Sequence, residues 1–216
     1  MYHRTAFTLI SAVALTLVLA FSSHAQDAAG WGKRNAVVVK GGLYGPTGDL
    51  DDFDTGLYTD VMYNRYITRN LALEGGIGFY YTEASFSGVL PVVGSYTEKD
   101  KISVIPIKAN IKGVLPLDRA ELYAGVGVGL YLAGVQAEVT STGLGSFSWT
   151  SSAAVIGAQC KAGGIYNLNE SFFVGIEGEY MVTDKAKFSG DLFGRSFTLE
   201  SNLDGYTISG VFGYRF

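Results

Sequence analysis

Two glutamates on one predicted strand are the strongest candidates for acid–base chemistry in this sequence. Glu177 and Glu179 are two residues apart, so both side chains point to the same face of a β-strand. A pair of carboxylates can supply a general acid and a general base. The same spacing also suits two glutamates that each face a lysine or arginine across a narrow space, and we favour this simpler interpretation.

Histidine and cysteine contribute little to any predicted site. Both histidines, His3 and His24, lie within the first 25 residues. A serine nucleophile normally takes histidine as its base, and zinc sites normally use histidine and cysteine. Cys160 is the only cysteine, and it shares a predicted strand face with apolar residues, which is typical of a small apolar filler. The sequence therefore predicts no enzyme activity, no metal and no cofactor.

Four aspartates, which are the remaining candidate ligands, cluster within one predicted loop at positions 49, 51, 52 and 54. The calcium-loop pattern fails there, because Phe53 and Asp54 occupy positions that require a ligand and a glycine. We interpret the cluster as a solvated acidic loop, with loose binding of a divalent ion as the alternative.

Alternating residue types predict eight strands that would position these side chains, at residues 36–44, 56–66, 71–82, 101–113, 121–135, 153–166, 172–183 and 205–216. Short turns rich in Asn, Asp and Pro at 67–70, 116–119 and 167–170 alternate with long connections at 45–55, 83–100, 136–152 and 184–204. In a membrane barrel the short turns face the periplasm and the long loops face outside. The pattern predicts an all-β fold, an eight-stranded antiparallel up-and-down transmembrane β-barrel.

The two faces of the predicted strands differ in composition. In the fifth strand, leucine, valine and alanine occupy one face from Leu122 to Leu132, and glycine and tyrosine occupy the other from Tyr123 to Tyr131. Repeated glycines make a poor solvent surface but suit the narrow lumen of a small barrel. Aromatic residues near the strand ends predict two interfacial girdles. The alternative is a soluble barrel or sandwich with the aliphatic face inside.

Because alternate residues of each predicted strand face the lumen, the sequence places five positive and five negative side chains on the lumen face. A lumen of eight strands is just filled by side chains, and charges there must be paired. We therefore predict a salt-bridged, plugged interior; the alternative is a charged permeation path. The ten residues are Lys40, Asp60, Glu74, Lys108, Lys112, Glu121, Lys161, Glu177, Glu179 and Arg215.

The first 25 residues have the form of a secretory signal peptide. A basic head that ends at Arg4 precedes an apolar run, and small residues precede a predicted cleavage between Ala25 and Gln26. Residues 26–216 then form one domain. The 16 Lys and Arg against 20 Asp and Glu give a net charge of −4, which provides no basic surface for nucleic acid.

Five segments of the sequence together are typical of one family: the signal peptide, residues 42–49 (GLYGPTGD), 105–112 (IPIKANIK) and 122–129 (LYAGVGVG), and the terminal Tyr214-Arg215-Phe216. In these segments the chain resembles the small bacterial outer-membrane β-barrels of OmpA, OmpX and OmpW type. The resemblance implies the outer membrane of a Gram-negative bacterium, with lipid and lipopolysaccharide around the barrel and four loops at the cell surface. It also implies that Tyr214 and Phe216, in the last strand, form the signal read by the barrel-assembly machinery.

We consider three functional hypotheses. The first is a structural or surface-interaction barrel whose strands seven and eight protrude and offer an edge for an added strand, with strand character over residues 195–199. The second is an OmpW-like transporter of small hydrophobic molecules, suggested by an apolar second loop above a possible cup. The third is a soluble lipid binder. The loop residues that could bind a ligand are Phe86, Leu90, Phe188, Phe193 and Phe197, and the residues of the possible cup are Tyr44, Tyr58, Ile102, Val104 and Tyr131.

Overall fold

The computed structural model describes residues 33–90, 94–141, 145–192 and 195–216. The predicted signal peptide lies outside these residues. No helical segment in these ranges has the length and hydropathy needed to cross a membrane. The described ranges contain a short 3-10 helix, Gly48–Leu50, and ten strands: β1 Asn35–Pro46, β2 Gly56–Thr68, β3 Leu71–Leu90, β4 Gly94–Pro116, β5 Ala120–Ser141, β6 Gly145–Asn167, β7 Phe172–Thr183, β8 Ala186–Leu192, β9 Arg195–Ser201 and β10 Gly205–Arg215.

Eight of these strands close into a barrel in the order β1-β2-β3-β4-β5-β6-β7-β10, with every pair antiparallel. The closing pair, β1 and β10, runs from Ala36 opposite Arg215 to Pro46 opposite Gly205. Each barrel strand therefore has two neighbours, which removes free edges from the barrel wall. The predicted fold class is confirmed.

The alternation read from the sequence matches the two sides of the wall. Val126, Val128 and Ile176 point outward with 64%, 61% and 72% of their surface exposed. Next to Ile176 on β7, the side chains of Glu177 and Glu179 point inward and are buried. A wall that is apolar outside and polar inside is the arrangement that a lipid-facing barrel requires. Glycine and tyrosine occupy the inner face of β5, as predicted.

The prediction of long loops is wrong for two of the four long connections. Residues 83–100 and 136–152 mostly continue β3 to β6 as two hairpins, and these hairpins extend past the part of the barrel where all eight strands pair. Apolar and polar residues do alternate in parts of these extensions, as in 146–150 (SFSWT). The prediction missed this alternation because serine, threonine and glycine, which are frequent there, are also typical of loops.

The fourth long connection contains a separate hairpin, in which β8 pairs only with β9. The predicted strand character of residues 195–199 is confirmed by β9. The expected protrusion of the seventh and eighth predicted strands is wrong, because β7 ends at Thr183 and β10 begins at Gly205. The extended strands are β3 to β6 instead.

The interior has two apolar clusters with charged residues between them. The smaller cluster lies at the end of the barrel that carries the chain terminus and includes Val38, Met62 and Phe173. The larger cluster fills the opposite end, which we call the mouth, and includes tyrosines from four strands together with Leu50, Phe188 and Leu203. The charged residues that the sequence singled out therefore lie in the middle of the barrel.

Candidate functional site

Glu74 is the centre of the charged cluster in the middle of the lumen. Its carboxylate lies 2.9 Å from the Lys161 amine, 2.8 Å from Lys112 and 3.4 Å from Lys40. Glu74 is on β3 and Lys161 is on β6, so this ion pair joins opposite walls of the barrel. All four side chains are buried.

Glu177 and Glu179, the carboxylate pair of the sequence, are both bound by lysines. Lys40 lies 2.7 Å from Glu177, and Lys161 lies 2.6 Å from Glu179 and 3.4 Å from Glu177. Lys108 completes the cluster, 2.8 Å from Glu179 and 2.6 Å from Asp60. With each carboxylate in contact with at least one ammonium group, the arrangement neutralises buried charge and favours neither glutamate as an acid or a base.

The remaining two predicted lumen residues form a separate pair near the chain terminus. The Arg215 guanidinium lies 2.7 Å from the Glu121 carboxylate. It also lies over the rings of Tyr66 and Phe173, 5.3 and 4.9 Å from their centroids. The structure thus brings eight of the ten residues into one cluster and leaves two in a partly exposed pair below it.

Neutral polar side chains complete the cluster, and sequence reasoning missed their part in it. The Tyr123 hydroxyl donates to Glu177 at 2.9 Å, and the Tyr58 hydroxyl donates to Asp60. The Asn110 amide donates to Glu74 at 3.1 Å, and the Gln159 amide donates to Asn110 at 2.9 Å. The signal that identifies them is the same parity, applied to uncharged residues.

Glycines on the inner face leave space for these side chains. A Cβ at Gly78 would overlap the Asp60 carboxylate, and a Cβ at Gly127 would overlap the Asn110 amide. The free space left beside Glu74 and Lys112 is only about 20 Å³. A space of this size holds about one water molecule.

A layer of tyrosines forms the inner part of the mouth, next to the charged cluster. The rings of Tyr44 and Tyr80 stack 4.3 Å apart, and the Tyr131 hydroxyl donates to Gln159 at 3.1 Å. These residues are buried together with Ile102 and Val104 in the larger apolar cluster. The residues of the possible cup therefore pack against one another as a filled layer.

An open cavity of about 390 Å³ lies at the mouth, where β4 to β6 meet the β8–β9 hairpin and the loop after β1. Most of the residues that line the cavity are apolar, and the others include four acidic residues. The apolar side chains are Leu50, Phe53, Ile102, Val135, Ala137, Val139, Trp149, Phe188 and Leu199, and the acidic ones are Asp49, Glu98, Asp100 and Glu200.

The predicted loop-binding residues have different positions. Phe86 is exposed on the β3–β4 hairpin, whereas Phe188 is buried in the apolar cluster of the mouth. Its ring lines the cavity, so its role as a ligand contact stays a prediction. Leu90 ends β3 and Phe197 lies within β9, while Phe193 is outside the described residues.

Aromatic rings cluster on the outer wall at the end of β10. Tyr214 lies 5.1 Å from Phe172 and 6.0 Å from Phe216, measured between ring centroids. The Phe216 backbone exchanges hydrogen bonds with Asn35 of β1, at 2.9 and 3.2 Å. Cys160 is exposed on the outer wall. Among the described residues, no group of three or more His, Cys, Asp and Glu is arranged to hold a metal ion.

A family model described as the outer membrane protein beta-barrel domain matches residues 13–216 of the chain. No curated protein sequence matches this chain.

Several solved structures are similar to this fold. The outer membrane protein OprG from Pseudomonas aeruginosa has a TM-score of 0.59 and 16% identity, over 86% of this chain and 97% of its own. A major outer membrane protein from Thermus thermophilus has a TM-score of 0.58 and 15% identity, over 86% and 100%. Neisserial surface protein A has a TM-score of 0.54 and 13% identity, over 84% and 97%. At these identities the likeness concerns the fold alone.

Proposed function

This chain belongs to the outer membrane protein beta-barrel domain family, and we propose that it serves in the outer membrane as a non-enzymatic surface-interaction protein with a sealed lumen. The barrel anchors the chain in lipid, and the extended hairpins and the β8–β9 hairpin act at the cell surface. The lumen does not conduct ions.

The observation that carries the proposal is the set of ion pairs across the lumen. Lys161 of β6 binds Glu74 of β3, and Lys108 of β4 binds Glu179 of β7. Moving an ion through this layer would require separating buried ion pairs. Each separated charge would lose partners that offset the free-energy cost of its desolvation. The space beside Glu74, about 20 Å³, has no room for a hydrated ion.

Planar-bilayer recording tests the sealed lumen. We expect the wild-type protein to show no steady conductance. The paired variant Lys161→Ala with Glu179→Ala removes one positive and one negative charge, so the cluster stays neutral while its cross-section opens. This variant should show measurable current and serves as the positive control. A robust channel in the wild type would contradict the proposal.

A free strand edge on β3 supports the interaction role. Residues 83–90 pair with β4 on one side, whereas the ladder with β2 stops at Tyr81. Beyond one hydrogen bond from the Asp54 N–H to the Glu83 carbonyl at 2.9 Å, no strand in the described ranges covers the other side. An exposed edge is a template for an added strand from a partner.

Surface display can be tested by labelling intact cells with a membrane-impermeant maleimide. In a Cys160→Ala background, Ser87→Cys lies on the free β3 edge and Leu117→Cys lies in the short turn between β4 and β5. We expect Ser87→Cys to react in intact cells and Leu117→Cys to react only after the outer membrane is permeabilised. The reverse pattern would contradict the proposed orientation.

Transport of small hydrophobic molecules is the second candidate, favoured by a break in the β3–β4 hydrogen-bond ladder. The β3–β4 ladder lacks two pairs, Gly78 opposite Pro106 and Phe79 opposite Ile105, although the register is the same on both sides. Proline has no N–H to donate, and it is normally absent from central strands. Above a closed lumen, an apolar solute from the mouth would have to leave sideways, and the wall would open most easily where ladder hydrogen bonds are missing.

Uptake measurements separate the two candidates. Pro106→Ala restores an N–H at the break in the ladder, and deletion of residues 86–93 removes the apolar second loop. If the protein is a transporter, either change should slow uptake of an apolar solute. If uptake in both variants equals that of the wild type, the transport hypothesis is excluded and the surface-interaction role remains as the only candidate.

We also propose that the aromatic end of β10 directs assembly. Deleting Phe216 removes both its backbone bonds to Asn35 and its ring contact with Tyr214. The amount of barrel in the outer membrane should fall, and unassembled protein should accumulate in the periplasm. Phe212→Leu, which keeps an apolar outward side chain away from the terminus, is the control.

A further inference from the structure

The cavity at the mouth has the size and lining of a small-molecule site. Its volume is about 390 Å³, within the range of about 300–1,000 Å³ typical of ligand sites. Leu50, Val135 and Phe188 on its lining are buried. They come from the loop after β1, from β5 and from β8, so three separate segments enclose one apolar space.

The charge of this cavity has a single sign. Four acidic residues line it, and the described lining residues include no lysine or arginine. The alternation of β4 explains part of this, since Glu98, Asp100 and Ile102 face the cavity while Lys99 and Lys101 point to the opposite face. An apolar space with a purely acidic lining is complementary to a positively charged apolar molecule.

Two of the four carboxylates already have partners. Asp49 accepts the backbone N–H of Asn202 at 3.1 Å, and Glu200 lies 3.0 Å from the Lys187 amine. Asp100 differs, because its Oδ1 atom is buried without a hydrogen-bond partner among the described residues. Burial, together with the neighbouring Glu98 carboxylate, raises the pKa of Asp100 above its ordinary value.

We propose that the cavity at the mouth binds a small amphipathic cation, an amine or ammonium ion with an apolar body. The body fills the space between Leu50, Val135 and Phe188, and the charged group lies at Asp100 with Glu98 beside it. An ammonium group there gives the Asp100 carboxylate a hydrogen-bond donor and an opposite charge. A neutral ligand leaves Asp100 without either, and an anion is repelled by all four acids.

This inference rests on the proposed surface role, because it assigns a ligand class to the exposed end of a sealed barrel. Three probes with one apolar body test it: 4-phenylbutylamine, 4-phenylbutanol and 4-phenylbutyrate. Binding is measured by calorimetry on the protein in zwitterionic lipid nanodiscs, with empty nanodiscs subtracted. Conductance is measured separately, so a failure of the sealed lumen and a failure of cation binding are distinguishable.

We expect the Kd of the amine to be about tenfold lower than that of the alcohol, with the butyrate weakest. Asp100→Asn and Glu98→Gln should each raise the Kd of the amine and leave the Kd of the alcohol unchanged. The unchanged binding of the alcohol also shows that each variant is folded. The matched control is Glu138→Gln, an acid on the neighbouring β5 extension that is exposed and does not line the cavity. Ala137→Trp fills the space and should weaken the amine and the alcohol together.

Three results would overturn the proposal. Equal affinity for the amine and the alcohol would mean an apolar site without charge selection. Amine binding that survives both Asp100→Asn and Glu98→Gln would place the charged group elsewhere. No binding of any probe above the empty-nanodisc level would mean that the cavity takes no ligand of this class.

Discussion

The middle of the lumen is filled by eight charged side chains, whereas the mouth is filled by tyrosines and aliphatic side chains around an open cavity. The space left in the first region is about 20 Å³ and in the second about 390 Å³. The charged region depends on specific partners, some on neighbouring strands and some across the lumen, because each buried ion needs a counterion. The mouth depends on apolar burial, which is not directional, so it can close incompletely and leave room for a ligand.

This difference predicts that removing one charge in the lumen costs far more than changes at the mouth. Glu74→Ala leaves Lys40, Lys112 and Lys161 without their shared carboxylate. We expect the free energy of unfolding to fall by about 3–5 kcal/mol. Urea titration of the barrel in lipid vesicles, followed by gel mobility without boiling, measures it.

The control for this variant is Glu138→Ala on the exposed face of the β5 extension, which should change stability by less than about 0.5 kcal/mol. Equal losses in the two variants would mean that the ion pairs of the lumen contribute no more than a surface charge. The contrast between the two regions would then have no energetic basis.

Crowding in the lumen gives the next largest effect. Gly78→Ala places a methyl group where the Asp60 carboxylate lies. Because Asp60 is held by Lys108 at 2.6 Å, it cannot move without lengthening that ion pair. We expect a loss of about 1–3 kcal/mol in the same urea titration. Gly41→Ala, where a Cβ would have nothing within 4 Å, should be neutral, and a loss there as large as at Gly78 would contradict this explanation.

The mouth should tolerate a much larger change. Replacing residues 186–201 with a short Gly-Ser linker removes the β8–β9 hairpin, which pairs only with itself and not with the barrel ladder. The hairpin adds no pair to the barrel ladder but buries Phe188 in the mouth, so we expect the free energy of barrel unfolding to fall by about 1–3 kcal/mol, less than for Glu74→Ala. Amine binding should be lost, because Phe188 and Leu199 line the cavity. A loss of stability like that of Glu74→Ala would mean that the mouth and the lumen unfold as one unit.

Sequence parity predicted the inward side chains well but could not predict which of them pair. Lys40 lies directly opposite Asp60 in the β1–β2 register, yet Asp60 pairs with Lys108 and Lys40 reaches Glu74 and Glu177. Long side chains in a narrow, tilted barrel meet across the lumen as readily as along the wall. Which wall lies opposite depends on strand tilt and stagger, which the period of two does not encode.

The cavity was beyond sequence reasoning for a different reason. Asp100 and Trp149 fall in segments predicted as loops, because serine and threonine are frequent there and are also typical of loops. Their convergence also depends on the β8–β9 hairpin, whose Ser189 N–H donates to the Ser151 hydroxyl at 3.2 Å and so holds it against β6. Such a contact between distant segments has no local sequence signal.

The smallest predicted effect is a pH dependence confined to the mouth. The pKa of Asp100 is raised by burial and by Glu98, so this carboxylate takes up a proton at a higher pH than an ordinary aspartate does. The other charged groups that face it are Asp49 from the loop after β1 and Glu200 from β9. The hydrogen bond from Lys187 lowers the pKa of Glu200, which therefore stays ionised to lower pH.

Because the cation favours the ionised form, amine affinity should be constant at neutral pH. It should weaken by less than about tenfold as the pH falls toward the raised pKa of Asp100. The calorimetric titration, repeated from pH 7 downward, measures this change, and Asp100→Asn should flatten it. Affinity for 4-phenylbutanol should stay constant, since the alcohol gains nothing from the charge. An unchanged pH profile in Asp100→Asn would mean that the charged group of the ligand does not lie at Asp100.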